Sequence, residues 1–570
     1  MKHVAYISEG SLSQGVIAYL SEDENIERFS IGSMMKIEGN MRSYLAMIVD
    51  AGIKARYHLS MISREVPEEF KEVLISKFSS ELRMPWIKLA LIAQRDFKGG
   101  EASVADSMPS FYSKVYNLKR KDVKLFFSEE DKISLWNLGH LKTTSIEEIL
   151  IPINIDSLVN LHFGIFGKTG TGKTFLGNII ASMILLSELR RTEKRNIRLL
   201  IFDMHSEYAF KLRKTGGEEI AEGVGLLFRY NFVKYTVDPE EARKYKTNLL
   251  RINLKEVSVD DLRLVGQLFG LTETFLAHLG TISSKLRRRY GNFWFIALLL
   301  SNQAFWEKLE NSDDDEKKNI LYEFLSKYKY DDWEVFNNNF ERIIGDNTIL
   351  RSIRANVSKL VKIADYPITI SESDVDKIVS DLTDERGQSV IISFGKFDKE
   401  VVLYLLLANL IAKKLRNKIM EVIQKFGEPK TRIIIFLEEA HYFLGKETYR
   451  LSPFGEIARE MRKRGVTLCI IDQKPYELDP DVISMLWTNF VFNLTDRRDI
   501  EAAIYGAPNA ELFRSMIPRL KSREVFIFGE AVDFPVVLTV RNYREFVEHV
   551  KELLKEEEKR LEEIEEAIGY

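Results

Sequence analysis

The sequence predicts an α/β protein: a parallel-sheet core preceded by a small β-barrel, interrupted by a helical bundle and followed by a charged helix. Three observations predict it. A glycine-rich stretch, Gly167-Lys168-Thr169-Gly170-Thr171-Gly172-Lys173-Thr174, lies between an apolar run at 161–166 and a helical pattern that opens at Phe175, the strand–loop–helix order of a parallel unit. Largely apolar runs of strand length recur at 198–202, 389–394, 431–437, 466–471 and 490–494, without the alternation of a strand that has one wet face. Between them, 257–364 keeps helical apolar spacing throughout.

Taken in order, residues 1–155 contain short alternating segments with turn signals between them, at 4–7, 15–19, 29–37, 44–51, 86–95 and 123–127. That spacing suits a barrel with a helix inserted around 68–78, and 151–155 leads into the core. Residues 156–254 form the first part of the core: strand 161–166, the glycine-rich loop, a helix to about Leu189 and strand 198–202. Residues 255–388 are the inserted bundle, in which the charged run 312–318 reads as a solvated loop. Residues 389–541 complete the core and end in a two-strand element, 524–528 with 536–540. The last segment, 542–570, is a helix with Phe546, Val547, Val550, Leu553 and Leu554 on one face. That face either braces a neighbouring subunit or packs on its own domain.

At 570 residues the chain is too long for one hydrophobic core. It is 45% hydrophobic and 29% charged, a globular composition with a highly charged surface. The longest apolar runs, 401–408 and 293–300, are shorter than the ~18 residues a membrane span needs, and the N-terminus lacks the apolar core of a signal peptide. A cytoplasmic protein without membrane association is expected. The single cysteine, Cys469, excludes an internal disulfide framework and a cysteine zinc cluster, and its apolar surroundings make it a buried strand residue. With a net charge of −3, nucleic-acid binding has to come from a local basic surface.

Residues 167–174 fit G-x-x-x-x-G-K-[ST] at every fixed position. Placed at a helix N-terminus, such a loop offers free N–H groups and the positive end of a helix dipole to a phosphate. Lys173 would reach the β- and γ-phosphates of a nucleoside triphosphate, and the Thr174 hydroxyl would ligate Mg²⁺. The run 433–437 ends in Glu438 and Glu439, and carboxylates at the C-terminal end of a parallel strand lie where open α/β sheets bind ligands. Glu438 would hold the Mg²⁺ shell and Glu439 would orient and deprotonate the attacking water; the alternative is a surface pair. Asp203, His205 and Glu207 follow the strand 198–202 and are candidates for positioning metal or water, against a structural role for the lone histidine. Gln473, two residues past the run 466–471, either senses the γ-phosphate or completes a turn. Residues 454–465 read as one helix with Phe454, Ile457, Ala458 and Met461 inward, Arg462 and Arg464 flanking that stripe and Arg459 pointing away. One arginine would enter a neighbouring subunit's site as a finger; the alternative is a solvated basic face.

The segments 151–174, 203–208, 437–441, 460–465 and 472–475 resemble HerA, a family of hexameric DNA translocases of the HerA–FtsK superfamily. The resemblance covers most of the chain and implies an N-terminal barrel, a RecA-like core, a helical insertion and a C-terminal brace. It further implies ATP and Mg²⁺ as cofactors, a homo-hexameric ring around double-stranded DNA, and a NurA-type nuclease as partner in DNA-end resection. Carried over by residue, Lys173 and Thr174 are the Walker A pair, Glu438 and Glu439 the Walker B pair, and Arg462 the finger. Three positions depart from the family pattern: Ser206 replaces Gly, Glu438 replaces Asp, and Lys474 replaces Arg, which alone gives bidentate geometry. The first two look chemically mild. Lys446, Arg450 and Lys474 are candidate contacts to the DNA backbone. Two other functions stay open at this stage: a ring ATPase that moves protein or serves conjugation or secretion, and a nucleotide-gated scaffold that docks and activates a nuclease.

Overall fold

The computed structural model describes residues 2–55, 83–127, 134–145, 147–191, 195–213, 219–266, 268–312, 315–330 and 332–568. The chain forms two compact units, Met1–Glu193 with Cys469–Tyr570, and Lys194–Leu468. The fold class read from the sequence is the one observed, with several local differences.

In the first unit, Gly15–Leu20, Ala5–Ser11, Lys114–Asn117, Met34–Glu38, Arg42–Ala55 and Arg83–Asp96 follow one another as antiparallel neighbours. Pairing of Gly15–Leu20 with Arg83–Asp96 closes them into a six-stranded barrel. Two register shifts in the pairing of Arg42–Ala55 with Arg83–Asp96, after Leu45 and after Ile48, supply the curvature that closure needs. Val16, Ile37, Ala46, Ile48, Leu89, Leu91 and Val115 fill the barrel. The helix expected around 68–78 lies outside the described residues.

Two sequence expectations in this region are corrected. Residues 123–127 are not a strand: the helix Arg120–Phe126 buries Val123 and Phe126, whose spacing of three is helical rather than alternating. Its Asp122 caps the first turn by accepting the Lys119 N–H at 3.0 Å, and also accepts from Lys36 Nζ at 3.1 Å. Residues 135–154 do not belong to the barrel. Leu135–Leu141 and Leu150–Asn154 form a hairpin whose first strand pairs with Val536–Val540, so the hairpin extends the core sheet.

The rest of that sheet, within this unit, is mixed. Phe163–Phe166 lies parallel to Cys469–Asp472 on one side and to Thr488–Val491 on the other. Glu524–Gly529 and Val536–Val540 then continue antiparallel. Cys469 is buried, as read. The barrel is fastened to the sheet by main-chain bonds from Met34 N to Lys142 O and from Lys142 N to Val537 O, and by Lys142 Nζ on Glu524 at 2.8 Å. The helix Tyr543–Ile568 runs against the helix Lys173–Leu189, with the Tyr543 and Phe175 rings 5.3 Å apart and Phe546, Val547 and Val550 buried. The apolar face of its first half therefore packs on its own domain.

In the second unit, Asn248–Leu249, Phe232–Thr236, Ser389–Ser393, Ile197–Asp203 and Arg432–Glu438 form an all-parallel sheet in that order. The long helix Val401–Phe426 buries its apolar first half. The insertion is a bundle of helices from Val259–Val265 to Asn347–Leu360. Its entry and exit are clamped together: Ile252–Asn253 pairs with Ile368–Thr369, and Arg251 makes a two-pronged contact with Asp374, Nε to Oδ2 at 2.8 Å and Nη2 to Oδ1 at 3.1 Å. Asp315–Lys318, read as loop, is the first turn of the helix Asp315–Tyr328, where acidic residues at the N-terminus favour the helix dipole.

The Lys36–Asp122 pair sits where neither partner has water to fall back on, with side chains 10% and 3% exposed. Asp122→Ala is expected to destabilise the barrel by about 1–2 kcal/mol, because it removes the buried partner of the Lys36 ammonium and leaves it on the more exposed Glu38, 2.9 Å away. A Lys36→Met, Asp122→Leu double variant should recover most of that loss in thermal denaturation, and a double variant as unstable as the single one would contradict this reading.

Candidate active site

In the first unit, residues 167–172 turn between Phe163–Phe166 and the helix Lys173–Leu189. The turn is held at its base by Gly167 N on Asp472 O (3.2 Å) and Lys168 N on Asn493 O (3.1 Å). Gly167 is required there: a Cβ would lie 2.6 Å from that of Phe492 and 2.8 Å from Thr171 Oγ1. Gly172, at φ 115, is the N-cap and supplies no side-chain acceptor, so the first-turn N–H donors have no side-chain cap and are suited to an anion. Lys173 Nζ donates to the carbonyls of Gly167 (2.7 Å) and Lys168 (3.1 Å), which keeps the ammonium inside the curve of the loop. Thr171 Oγ1 donates to Lys168 O at 2.7 Å, while Thr174 is half-buried in the first helical turn. Gln473 reaches the loop: Thr169 Oγ1 donates to its Oε1 at 2.9 Å. Gly170 is open, with no atom within 4 Å of a Cβ built there. A cradle of backbone donors with one lysine inside fits a phosphate chain.

In the second unit, Ile197–Asp203 and Arg432–Glu438 are neighbours whose register places Phe202 opposite Leu437, which sets Asp203 and Glu438 side by side at the strand ends. Both are buried. Asp203 is wrapped by the segment that follows it and accepts N–H bonds from Glu207, Tyr208 and Ala209 at 2.8–2.9 Å. Glu438 Oε2 accepts from Met204 N at 3.3 Å, and Tyr404 Oη donates to the Glu438 carbonyl at 2.7 Å. Burial pushes Asp203 up to about 7, against the three N–H bonds that favour its charge. Burial, then the charges of Asp203, Glu207 and Glu439, push Glu438 well above the usual carboxylate range. Two buried carboxylates side by side, each raised by burial and by neighbouring acidic charge, make a setting that a divalent cation would relieve. Oxygen donors of this kind suit Mg²⁺.

Two backbone features mark the same place. Glu439 has φ 47 and Ser206 has φ 58, left-handed conformations that cost a non-glycine residue of order 1 kcal/mol or more. At 206, where the sequence comparison made serine look like a mild replacement for glycine, glycine would adopt this conformation without that cost. The Ser206 Oγ is buried and has no hydrogen-bond partner among the described residues. His441 Nδ1 lies 3.6 Å from Glu439 Oε2, a neighbour legible only as a histidine two positions beyond the acidic pair.

The other predicted residues are placed as follows. Asp203 and Glu207 belong to the acidic group, whereas His205 is exposed and lines a different cleft of about 350 Å³, with Nδ1 3.8 Å from Asp398. The stretch 454–465 is not one regular helix. It runs as an α-turn over Pro453–Glu456, a π-turn over Ile457–Met461 and a 3₁₀-turn over Arg462–Arg464. The wide turn carries an extra residue, which rotates whatever follows by about 100° from the wheel expected for a straight helix. The inward set is as read, with Phe454, Ile457, Ala458 and Met461 all buried. Arg459 is exposed and stacks 4.9 Å over the Tyr449 ring, Arg464 Nη1 lies 2.9 Å from Met420 Sδ, and Arg462 is half-buried. Lys446, Arg450 and Lys474 are exposed, Lys474 with Glu477 at 2.9 Å. Asn493, Phe492 and Tyr404 were missed from sequence, because an apolar or amide residue in a strand or helix carries no chemical signal.

The sequence profile of the family described as helicase HerA, central domain, matches residues 136–415. The match spans just under half of the chain. A probable helicase of Methanocaldococcus jannaschii is 26% identical over 415 residues, 71% of this chain and 70% of the relative. The DNA double-strand break repair helicase HerA of Sulfurisphaera tokodaii is 24% identical over 493 residues, 84% of this chain and 82% of the relative. Among solved structures, the plasmid coupling protein TrwB in complex with a non-hydrolysable ATP analogue is 15% identical and aligns over 72% of this chain and 90% of its own, with a TM-score of 0.41. The HerA match contains the phosphate loop and the whole Asp203–Tyr208 segment, and Glu438–Glu439 follow beyond it.

The buried pair of Asp203 and Glu438 makes the stability of the second unit depend on pH. A carboxyl raised from its unfolded value near 4 to about 7 holds its proton in the folded protein where the unfolded chain has already lost it. Its stabilising effect is complete below about pH 4 and is lost as the pH rises toward 7. Glu438, raised in the same direction, adds to this. In EDTA, Glu438→Gln should therefore gain Tm relative to the unsubstituted protein as the pH is raised from 5 to 8. A Tm difference that stays constant across that range would contradict the assignment.

Proposed function

We propose that this chain is an ATP-driven translocase of double-stranded DNA that works as a homo-hexameric ring with a NurA-type nuclease in DNA-end resection and double-strand break repair. It is an ATP hydrolase. What supports the reading is that one chain, matched over 136–415 by the HerA central-domain profile, holds a backbone phosphate cradle around Lys173 in its first unit and a buried carboxylate pair, Asp203 and Glu438, in its second. The DNA substrate is supported by the relatives, named as DNA double-strand break repair helicases.

In this reading the N–H groups of residues 167–174 and the Lys173 ammonium bind the phosphates, and Thr174 and Glu438 hold Mg²⁺. Bound there, Mg²⁺ offsets negative charge on the β- and γ-phosphates. Glu439 orients the attacking water and takes its proton. The left-handed backbone at Glu439 fixes where its side chain leaves the strand end, and strain of this kind concentrates at functional sites. Asp203 and Glu207 act on Glu438 through charge, and Gln473 links the loop to the turn that carries Lys474. Arg462 is the finger offered to a neighbouring subunit. Movement along DNA is by contacts to the phosphate backbone, which need no base readout.

Steady-state ATP hydrolysis should rise on addition of linear double-stranded DNA, and hydrolysis indifferent to DNA would remove the translocase reading. Glu439→Gln should bind ATP and lower turnover by about 100-fold or more, the scale of general-base catalysis. Lys173→Ala should abolish turnover. Arg462→Ala alone should bind ATP and fail in turnover, and mixing it with Lys173→Ala chains should restore part of the activity. No recovery in mixed assemblies would exclude action across a subunit interface.

A further inference from the structure

The inserted helical bundle presents a group of cations that the candidate active site does not use. Arg287, Arg288 and Arg289 end the helix Glu273–Tyr290, and Lys327 and Lys329 end or follow the helix Asp315–Tyr328. The two ends meet: Tyr328 Oη donates to Tyr290 O at 2.7 Å, and the two rings are 5.0 Å apart. Lys255 joins them, because Lys255 Nζ and Lys327 Nζ both lie within 4.5 Å of the centroid of the Phe293 ring. Among the described residues, Glu323 alone pairs with any of these six cations, 3.5 Å from Lys255.

Helix termini explain part of this group. A cation near a helix C-terminus is favourable by roughly 0.3–1 kcal/mol. Here, however, the terminus is already served. Gly291 N, at φ 56, bonds Arg287 O, and Tyr328 takes the Tyr290 carbonyl. Arg287 is turned back on its own helix, with Nε donating to Ser283 Oγ at 3.0 Å and its guanidinium over Trp294. Arg288, Arg289, Lys327 and Lys329 are exposed. Two ammoniums held on one ring lie within the Debye length of about 10 Å, so they repel through little screening. Such a cluster costs the free protein stability that an array of anions would return.

Resting on the reading that the chain acts on DNA, we infer that this end of the helical insertion is a second DNA contact that takes the phosphate backbone of a duplex, independent of bound nucleotide. Exposed cations gathered where two helix ends meet suit the phosphates of a duplex backbone, and the planar guanidinium of Arg288 or Arg289 matches a phosphate with two parallel bonds. An anionic membrane is the poorer occupant. Phe293 lies buried beneath the ammoniums instead of projecting past them, as an apolar residue must to enter a bilayer.

The test uses the full chain carrying Arg288→Gln, Arg289→Gln and Lys329→Gln, without nucleotide. Binding of a fluorescent blunt duplex is followed by anisotropy over a salt series, with DNA-independent ATP hydrolysis as the check that fold and active site are intact. The expected result is weaker binding at every salt concentration, with the slope of log K against log salt shallower by about 2 to 3, and unchanged DNA-independent hydrolysis. Replacement of both arginines by lysine should keep most of the slope. Unchanged affinity and slope in the triple variant would overturn the second contact and leave the translocase reading standing. Failure of the unsubstituted chain to bind duplex would overturn both. Sedimentation with phosphatidylserine vesicles, lost in the triple variant while duplex binding persists, would assign the surface to a membrane instead.

Discussion

The burial of two carboxylates side by side governs the local architecture of the second unit. Asp203 and Glu438 end neighbouring parallel strands, and the register of Ile197–Asp203 with Arg432–Glu438 leaves no way to separate them. Everything close by answers that charge. The chain after Asp203 curls so that three consecutive N–H groups point at one carboxylate, and that curl forces Ser206 into the left-handed region. Glu439 turns the other way out of its strand, also at positive φ, and Tyr404 ties down the Glu438 carbonyl from the long helix behind the sheet. Backbone strain and unmet charge in one place are costs that stability alone would not retain.

The phosphate loop solves the opposite problem in the first unit. Its donors are main-chain groups, so its geometry depends on glycine at the tight approach to Phe492 and on anchoring at Asp472 and Asn493. Lys173 bonded to the loop's own carbonyls has its charge placed in advance, which lowers the reorganisation that binding a phosphate requires. The inserted bundle joins the rest of the second unit through the two-residue strand pair, the Arg251–Asp374 contact, and the packing of its first helix, Val259–Val265, on the long helix Val401–Phe426, where Lys413 Nζ donates to Ser258 Oγ at 3.1 Å.

Most of this architecture was legible in the sequence because it rests on local chemistry. The glycine spacing of the loop, the largely apolar strands bounded by turn residues and the helical periodicity of the insertion each follow from a residue pattern with a strong local preference. The failures have equally definite causes. Val123 and Phe126 were read as strand because a short apolar pair fits either period, and the Asp122 cap is decided by Lys36, far away in the chain. The hairpin 135–154 was given to the barrel because nothing local says which sheet an edge strand will join. The π-turn at Ile457–Met461 cannot be seen on a helical wheel, which assumes the regular pitch it is meant to test. His205 was grouped with Asp203 and Glu207 by proximity in sequence, yet it is exposed on the turn that contains the left-handed Ser206, and the two line another cleft. The same turn is why serine at 206 is a strained replacement for glycine.

The central claim is that the buried acidic pair is a cation site used with nucleotide. The measurement that tests it most directly is electron paramagnetic resonance of Mn²⁺, as a stand-in for Mg²⁺, titrated with the unsubstituted chain and with Glu438→Gln in the presence of a non-hydrolysable ATP analogue. The account predicts that the unsubstituted chain captures Mn²⁺ and that Glu438→Gln loses most of that capture while still binding the nucleotide. Equal Mn²⁺ capture by both chains would contradict it, and would leave the buried carboxylates as a structural pair held neutral by protons.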